Sequence, residues 1–158
     1  MNKIKNKIET LLLAQTNLDD LIPQAYEYII ERLLKVGALD VWVTPIVMKK
    51  SRPAHELSVL FSPFLKSKIS EILFEETTTL GIRFSKIERE SLERKIKSVA
   101  TPWGKIRVKL GFFKGQLVTA SPEYEDCKRI SEAKRVAFKK VYTAAQSQID
   151  KSIHLGIQ

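Results

Sequence analysis

Apolar and polar positions along the chain alternate between short strands and amphipathic helices. Residues 11–18 are largely apolar and read as a strand. Over residues 23–36, Ala25, Ile29, Ile30, Leu33 and Leu34 recur at helical spacing. Pro23 suits the first turn of that helix, where its missing N–H costs nothing, and Gly37 is a natural stop. Residues 39–48 (LDVWVTPIVM) are β-branched and aromatic, a strand in which Pro45 argues for an edge or a bulge. After the KKSRPAH loop, residues 56–61 form another strand, and Ser62-Pro63 opens a helix carrying Leu65, Ile69, Ile72 and Leu73 that ends near residues 77–81. Residues 82–99 fit two strand pieces with a break near Glu90-Ser91. Thr101-Pro102-Trp103-Gly104 then places Pro and Gly where a tight turn prefers them. Residues 105–110 alternate cleanly, Lys114-Gly115 turns the chain again, and residues 116–118 return it. Ser121-Pro122 is expected to cap a helix, followed after a weak break near Val136 by a last helix through Phe138, Val141, Tyr142, Ala145 and Ile149.

The order β-α-β-β-α-β predicts an α+β fold: a ferredoxin-like split-βαβ sandwich extended by a β-hairpin and C-terminal helices. The expected division is an N-terminal extension at 1–13, the ferredoxin-like part at 14–100, the hairpin and helices at 101–150, and a tail at 151–158.

At 158 residues the chain is long enough for a real core without disulfides. An apolar fraction of 44% with 28% charged residues is that of a globular protein. No apolar run approaches the roughly 20 residues a membrane span needs, and Leu11-Leu12-Leu13-Ala14 is too short for a signal peptide. A single cysteine, Cys127, fits a reducing cytoplasm. The formal charge of +9 calls for an anionic partner, and the cations read as scattered rather than polarised. Only Met48-Lys49-Lys50-Ser51-Arg52-Pro53 is tight enough to suggest a phosphate grip: Arg offers a planar fork and Lys a point charge. A solvated hairpin loop explains the same segment.

Familiar phosphate motifs are absent, and His55 and His154 stand too far apart for a zinc pattern. Hard-cation chemistry fits better. In TNLDDLIP, Asn17 and Asp19 are two apart and share a face of an extended strand, with Asp20 at the turn that follows. Such oxygen ligands suit Mg²⁺ or Mn²⁺ shared with a phosphate. The competing reading is a helix cap, yet Pro23 at the first helical position would put the cap on Ile22, which has no side chain to do it. In EETTTLGIR, three threonines end a helix before Arg83. In PEYEDC, acids occupy a first helical turn, as the helix dipole favours.

Together, TNLDDLIPQAYEYIIERLLKVGALDVWVTPIVMKKSRP, EETTTLGIR, TPWGKIRVK and SPEYEDCKRI, in this order over roughly residues 14–146, resemble the C-terminal module of the LarC family of nickel-insertion proteins. That family makes the nickel-pincer nucleotide cofactor of lactate racemase. The resemblance implies a CTP-dependent cyclometallase of the lyase class that inserts Ni²⁺ into pyridinium-3,5-bisthiocarboxylic acid mononucleotide, with CTP and Mn²⁺ or Mg²⁺ bound by this module. Carried onto these positions, Lys49, Lys50, Ser51, Arg52, Thr77, Thr78 and Arg83 become nucleotide contacts. Asn17, Asp19, Asp20, Glu76 and Glu123 become metal ligands. Glu125 and Asp126 become candidates to remove the ring proton when the nickel–carbon bond forms. The resemblance further implies a homo-oligomer built on trimers, a His-rich N-terminal portion that this chain lacks, so that it is a fragment or a separately made portion, and lactate racemase as final acceptor of the cofactor.

Two other classes remain. A nucleic-acid-binding module would use the positive charge with Trp103, Phe112 and Phe113 stacking from a sheet face. A non-catalytic assembly domain would bind neither nucleotide nor nucleic acid.

Overall fold

The computed structural model describes residues 7–154, and their contacts divide into two units, Ile8–Arg89 and the described residues from Glu90 onward. The first unit contains β1 (Lys7–Leu18), α1 (Ala25–Lys35), β2 (Asp40–Met48), β3 (Arg52–Phe61), α2 (Lys66–Glu76) and β4 (Arg83–Ser91). Its sheet has the order β2-β3-β1-β4, with β3 antiparallel to both β1 and β2. That is the split-βαβ order of a ferredoxin-like sandwich, as the element sequence predicted. Period-two alternation decides which face is covered: Ala14 and Leu18 of β1 and Leu57, Val59 and Phe61 of β3 pack on Ile29 and Leu33 of α1 and on Ile69, Ile72 and Leu73 of α2. Pro45 sits on β2, an edge strand, where a missing N–H is tolerated.

The second unit holds β5 (Glu93–Thr101), β6 (Gly104–Phe113), β7 (Gln116–Pro122), α3 (Tyr124–Lys134) and α4 (Phe138–His154). The antiparallel sheet β5-β6-β7 covers its apolar face with the two helices: Ile106, Val108 and Leu110 alternate inward toward Cys127, Ile130, Val141, Ala145 and Ile149. The break between the helices is a left-handed Arg135 (φ 51°), whose neighbour Val136 donates back to the Ser131 carbonyl.

Several boundaries move, each for a local reason. Residues 7–13 belong to β1 rather than to an extension, and residues 1–6 lie outside the described residues. β5 pairs along its whole length with β6, so the second unit begins near residue 90 and not at 101. Ser121 and Pro122 end β7 instead of capping a helix, because Ser121 pairs with Lys109 and Pro122 with Val108. The expected tail is helical through His154, with residues 155–158 outside the described residues. Helix α1 starts at Ala25, two residues past Pro23, with no side-chain cap.

Gly111 is the tightest point of the second sheet. It lies beside a register shift in the β6–β7 pairing, where a Cβ would stand 2.5 Å from Thr119 Cγ2 and 3.0 Å from Leu92 Cδ1. Gly111→Ala is therefore expected to lower stability by about 1–3 kcal/mol, read as a fall in the urea midpoint; an unchanged midpoint would mean that Thr119 rotates away freely.

Candidate functional site

The end of β1, the start of β3 and the loop after α2 meet in the first unit. Asn17 lies directly across from Glu56 in the β1–β3 register. Arg83, at the start of β4, donates to Asn17 Oδ1 (2.7 Å) and to Glu56 Oε2 (2.8 Å) from one terminal nitrogen. Gln15 donates to the other Glu56 oxygen at 2.7 Å. One step along, Arg52 donates to Asp19 Oδ2 at 3.0 Å, and the Thr78 hydroxyl donates to Asp20 Oδ1. Neither aspartate caps α1, so the helix-cap reading of TNLDDLIP does not hold.

The loop is held from within. The Thr16 and Thr79 hydroxyls lie against each other and within reach of the Gly81 carbonyl (3.1 and 2.9 Å); with one proton each, one donates to the carbonyl and the other to the carbonyl or to its partner hydroxyl. Thr77 donates to Leu73 O at 2.6 Å and closes the end of α2. Three consecutive threonines thus serve three purposes: a helix stop, a contact to Asp20 and a tie to β1.

The basic segment splits. Lys49, Lys50 and Ser51 form the turn between β2 and β3, while Arg52 is already in β3, paired with Met48. Lys50 (φ 61°) and Ser51 (φ 55°) are both left-handed, a conformation that neither residue type favours. All three turn residues are exposed. Such strain persists only where surrounding structure enforces it, and it is common at binding sites.

Tyr26 and His55 flank this cluster with rings edge to face, centroids 5.3 Å apart. The Tyr26 hydroxyl is buried without a hydrogen-bond partner among the described residues. Burial, helped by the nearby negative charge of Asp20, pushes its pKa up, so the phenol stays protonated.

Other expected positions lie elsewhere. Glu76 pairs with Arg32 of α1, not with Asn17, Asp19 or Asp20. Glu123, Glu125 and Asp126 belong to the second unit. Glu123 pairs with Lys109 at 3.1 Å. Glu125 is exposed in the first turn of α3. Asp126 is buried and takes three hydrogen bonds from Arg107: from the backbone N–H (2.9 Å), from Nε (2.9 Å) and from a terminal nitrogen (3.0 Å). Those bonds hold its carboxyl down at about 2. A carboxylate so poor at accepting protons is an anchor of β6 to α3.

The stacking face of the nucleic-acid reading is absent from the second sheet. Phe112 is buried beside Val108 and Leu110, Trp103 packs against the Ile106–Cys127 cluster, and only Phe113 is substantially exposed.

The profile of the family described as nickel insertion protein matches residues 2–142. The chain belongs to the nickel insertion protein family. A putative nickel insertion protein of Myxococcus xanthus is 50% identical over 137 residues, covering 87% of this chain and 35% of the relative. A pyridinium-3,5-bisthiocarboxylic acid mononucleotide nickel insertion protein of Clostridium kluyveri is 45% identical, covering 90% and 36%. Among solved structures, the chain is similar to the apo form of LarC2, the C-terminal domain of a cyclometallase involved in synthesis of the NPN cofactor of lactate racemase. The TM-score is 0.85 at 35% identity, over 91% of this chain and 99% of that one. This nickel-insertion chain thus matches a C-terminal domain and spans about a third of the length of the curated relatives it matches.

The first unit links Asn17 with Arg83, Asp19 with Arg52 and Asp20 with Thr78 by hydrogen bonds. Glu56, Gln15, Thr16 and Tyr26 were missed. Glu56 stands next to buried Leu57 in a strand whose apolar Leu57, Val59 and Phe61 share one face, so strand periodicity points Glu56 to the opposite sheet face, which carries Asn17. Pairing it with Asn17 required the β1–β3 register, which sequence alone does not fix.

Proposed function

We propose that this chain is the CTP- and Mn²⁺/Mg²⁺-binding C-terminal module of a nickel insertase. The whole enzyme inserts Ni²⁺, as substrate, into pyridinium-3,5-bisthiocarboxylic acid mononucleotide with hydrolysis of CTP. The observation that carries the reading is the internal neutralisation of the first-unit cluster: Arg52 rests on Asp19 and Arg83 on Glu56. Exposed pairs of this kind contribute only about 0.2–1 kcal/mol each. A metal–triphosphate complex offers both members a stronger partner, the acids facing the cation and the arginines the phosphate oxygens.

The donor set fits a hard divalent ion bound together with phosphates. Among the described residues no group of three or more His, Cys, Asp or Glu could hold a metal ion unaided. Mg²⁺ in nucleotide sites takes only one or two carboxylates and fills its remaining positions with phosphate oxygens and water. Asp19 and Asp20 would hold the ion, with Asn17 beside them; Lys49, Lys50, Ser51, Arg52, Thr78 and Arg83 would meet the phosphates. When bound, the ion would neutralise phosphate charge. Thr77 and Glu76 support the loop rather than the ligand. Glu125 is the candidate to take the ring proton.

The remaining parts of the reading concern the whole protein: a His-rich N-terminal portion, lactate racemase as final acceptor of the cofactor, a trimer-based homo-oligomer and a cytoplasmic setting. No helix among the described residues is long and apolar enough to cross a membrane.

The test is a thermal-shift screen of CTP, ATP, GTP and UTP, each with and without Mn²⁺. Metal-dependent stabilisation by CTP above the other three is expected, since a ligand at 100 times its Kd adds about 2.7 kcal/mol. No shift with any nucleotide removes the reading.

A further inference from the structure

The positive charge of the chain is not where the nucleotide cluster is. Residues 8–89 hold 10 Lys and Arg against 11 acids, whereas residues 90–158 hold 14 against 7. The scattered cations of the sequence are therefore polarised by unit, and the second unit carries an excess that CTP binding in the first does not explain.

That excess has a focus. On β6 the buried Ile106, Val108 and Leu110 force Lys105, Arg107 and Lys109 onto the opposite, exposed face, roughly 6.5–7 Å apart along the strand. Like charges in a row repel, and the unit offsets them only in part. Lys109 is matched by Glu123, but Asp126 is shared: Arg107 Nε lies 2.9 Å from one of its oxygens and an Arg129 terminal nitrogen 3.6 Å from the other. Two guanidinium groups converge on one carboxylate, and Lys105 has no ion-pair partner among the described residues. Both arginines stay more than half exposed, at 56% and 65% of their side-chain surface.

Asp126 makes this more than a charged surface. It is buried at the base and grips Arg107 by Nε and one terminal nitrogen, so the rotamer freedom of that side chain is already lost. Three of the five guanidinium N–H groups remain free to donate outward. A planar donor fixed in advance is well suited to a doubly charged oxyanion.

We infer that Arg107 and Arg129, converging on Asp126 where β6 meets the first turns of α3, form a site for a phosphate monoester dianion, the group carried by a pyridinium mononucleotide. The choice of pyridinium mononucleotide as its source rests on the proposed nickel-insertase function. A single dianion fits two donors that meet at one carboxylate. A nucleic-acid strand stacking on the sheet would need the aromatics of β6 and its turn, of which Phe112 and Trp103 are packed away and Phe113 is exposed. Asp126 is on this account a positioning residue that acts through Arg107.

The full 158-residue chain is titrated by calorimetry with nicotinic acid mononucleotide, a stable pyridinium mononucleotide, with the matching nucleoside lacking the phosphate, and with inorganic phosphate. Mononucleotide binding is expected to weaken about tenfold or more in Arg107→Lys, which keeps the charge and loses the fork, and in Arg129→Met. The nucleoside should not bind, and Mn²⁺–CTP stabilisation should be unchanged in both variants. Equal affinity for nucleoside and mononucleotide, or undiminished mononucleotide binding in both variants, overturns the site. Inorganic phosphate binding more tightly than the mononucleotide keeps the dianion site and assigns it to free phosphate. Wild-type protein that binds the mononucleotide but no nucleoside triphosphate would instead remove the CTP reading and leave this one standing.

Discussion

Arg83→Met is expected to weaken Mn²⁺-dependent CTP binding by about 10–100-fold while leaving the first unit folded. Arg83 is half exposed and donates from one nitrogen to both Asn17 and Glu56. Its removal costs the fold little, because an exposed ion pair contributes at most about 1 kcal/mol. Toward a bound triphosphate the same guanidinium would make charge-assisted hydrogen bonds worth about 1.5–3 kcal/mol each. Calorimetric titration of CTP with Mn²⁺ reads the affinity, and urea unfolding separates it from stability. A second variant decides what Arg83 does. If it merely neutralises Glu56, then Arg83→Met combined with Glu56→Gln restores CTP binding; if it grips phosphate, the double variant stays weak.

Residues that bear on this site differ in how visible they are along the chain. The helices and strands of the first unit follow from periodicity and punctuation: Pro45 marks an edge strand, Gly37 a helix end, and the threonines a stop after α2. Asp19 and Asp20 stood out because they are acids where no cap geometry was available. Arg52 and Arg83 stood out as cations near turns. What joins them is register. Asn17 meets Glu56, and Arg52 reaches Asp19, because β3 runs antiparallel beside β1 with Leu18 opposite His55. Shifting that pairing by one residue would turn Glu56 toward α1 and α2, so burial of Leu57 and Val59 fixes the site as firmly as it fixes the core. The sequence pattern shows which face Glu56 takes and not which residue it meets.

The second unit was legible in the opposite sense. Its strands alternate so regularly that β6 is evident from KIRVKL, yet the partners of its acids are not evident along the chain. Glu123 and Asp126 sit at the start of a helix, where the dipole favours acids in any protein. Their partners, Lys109 and Arg107, come from a strand that ends ten residues earlier, and only the packing of α3 on the sheet brings them together. The charge polarisation between units was hidden for the same reason: the boundary near residue 90 falls between two strands that look alike in sequence and join different sheets.

Asp126→Asn is expected to lower the stability of the second unit by about 1–3 kcal/mol at pH 7, because it removes the charge and one acceptor of a buried, charge-assisted network. The pH dependence is the sharper measurement. In the folded protein the Asp126 carboxyl titrates at about 2 rather than 3.8, held down first by the Arg107 side chain, then by the Arg107 backbone N–H and the charges of Arg107 and Arg129, against the opposing effect of burial. The unfolded chain therefore takes up this proton more readily than the folded one. Its stabilising contribution is complete above about pH 4 and is lost as pH falls from about 4 toward 2. A shift of this size would correspond to a little over 2 kcal/mol at full strength. Arg107 lies open to solvent, so screening brings the contribution to about 1–2 kcal/mol. Urea midpoints of the wild type and Asp126→Asn should therefore differ at pH 7 and 5 and converge toward pH 2. Parallel profiles over that range would show that the Asp126–Arg107 pair does not govern the acid stability of this unit. Convergence accompanied by weaker mononucleotide binding in the variant at pH 7 would tie the buried anchor to the exposed guanidinium it holds.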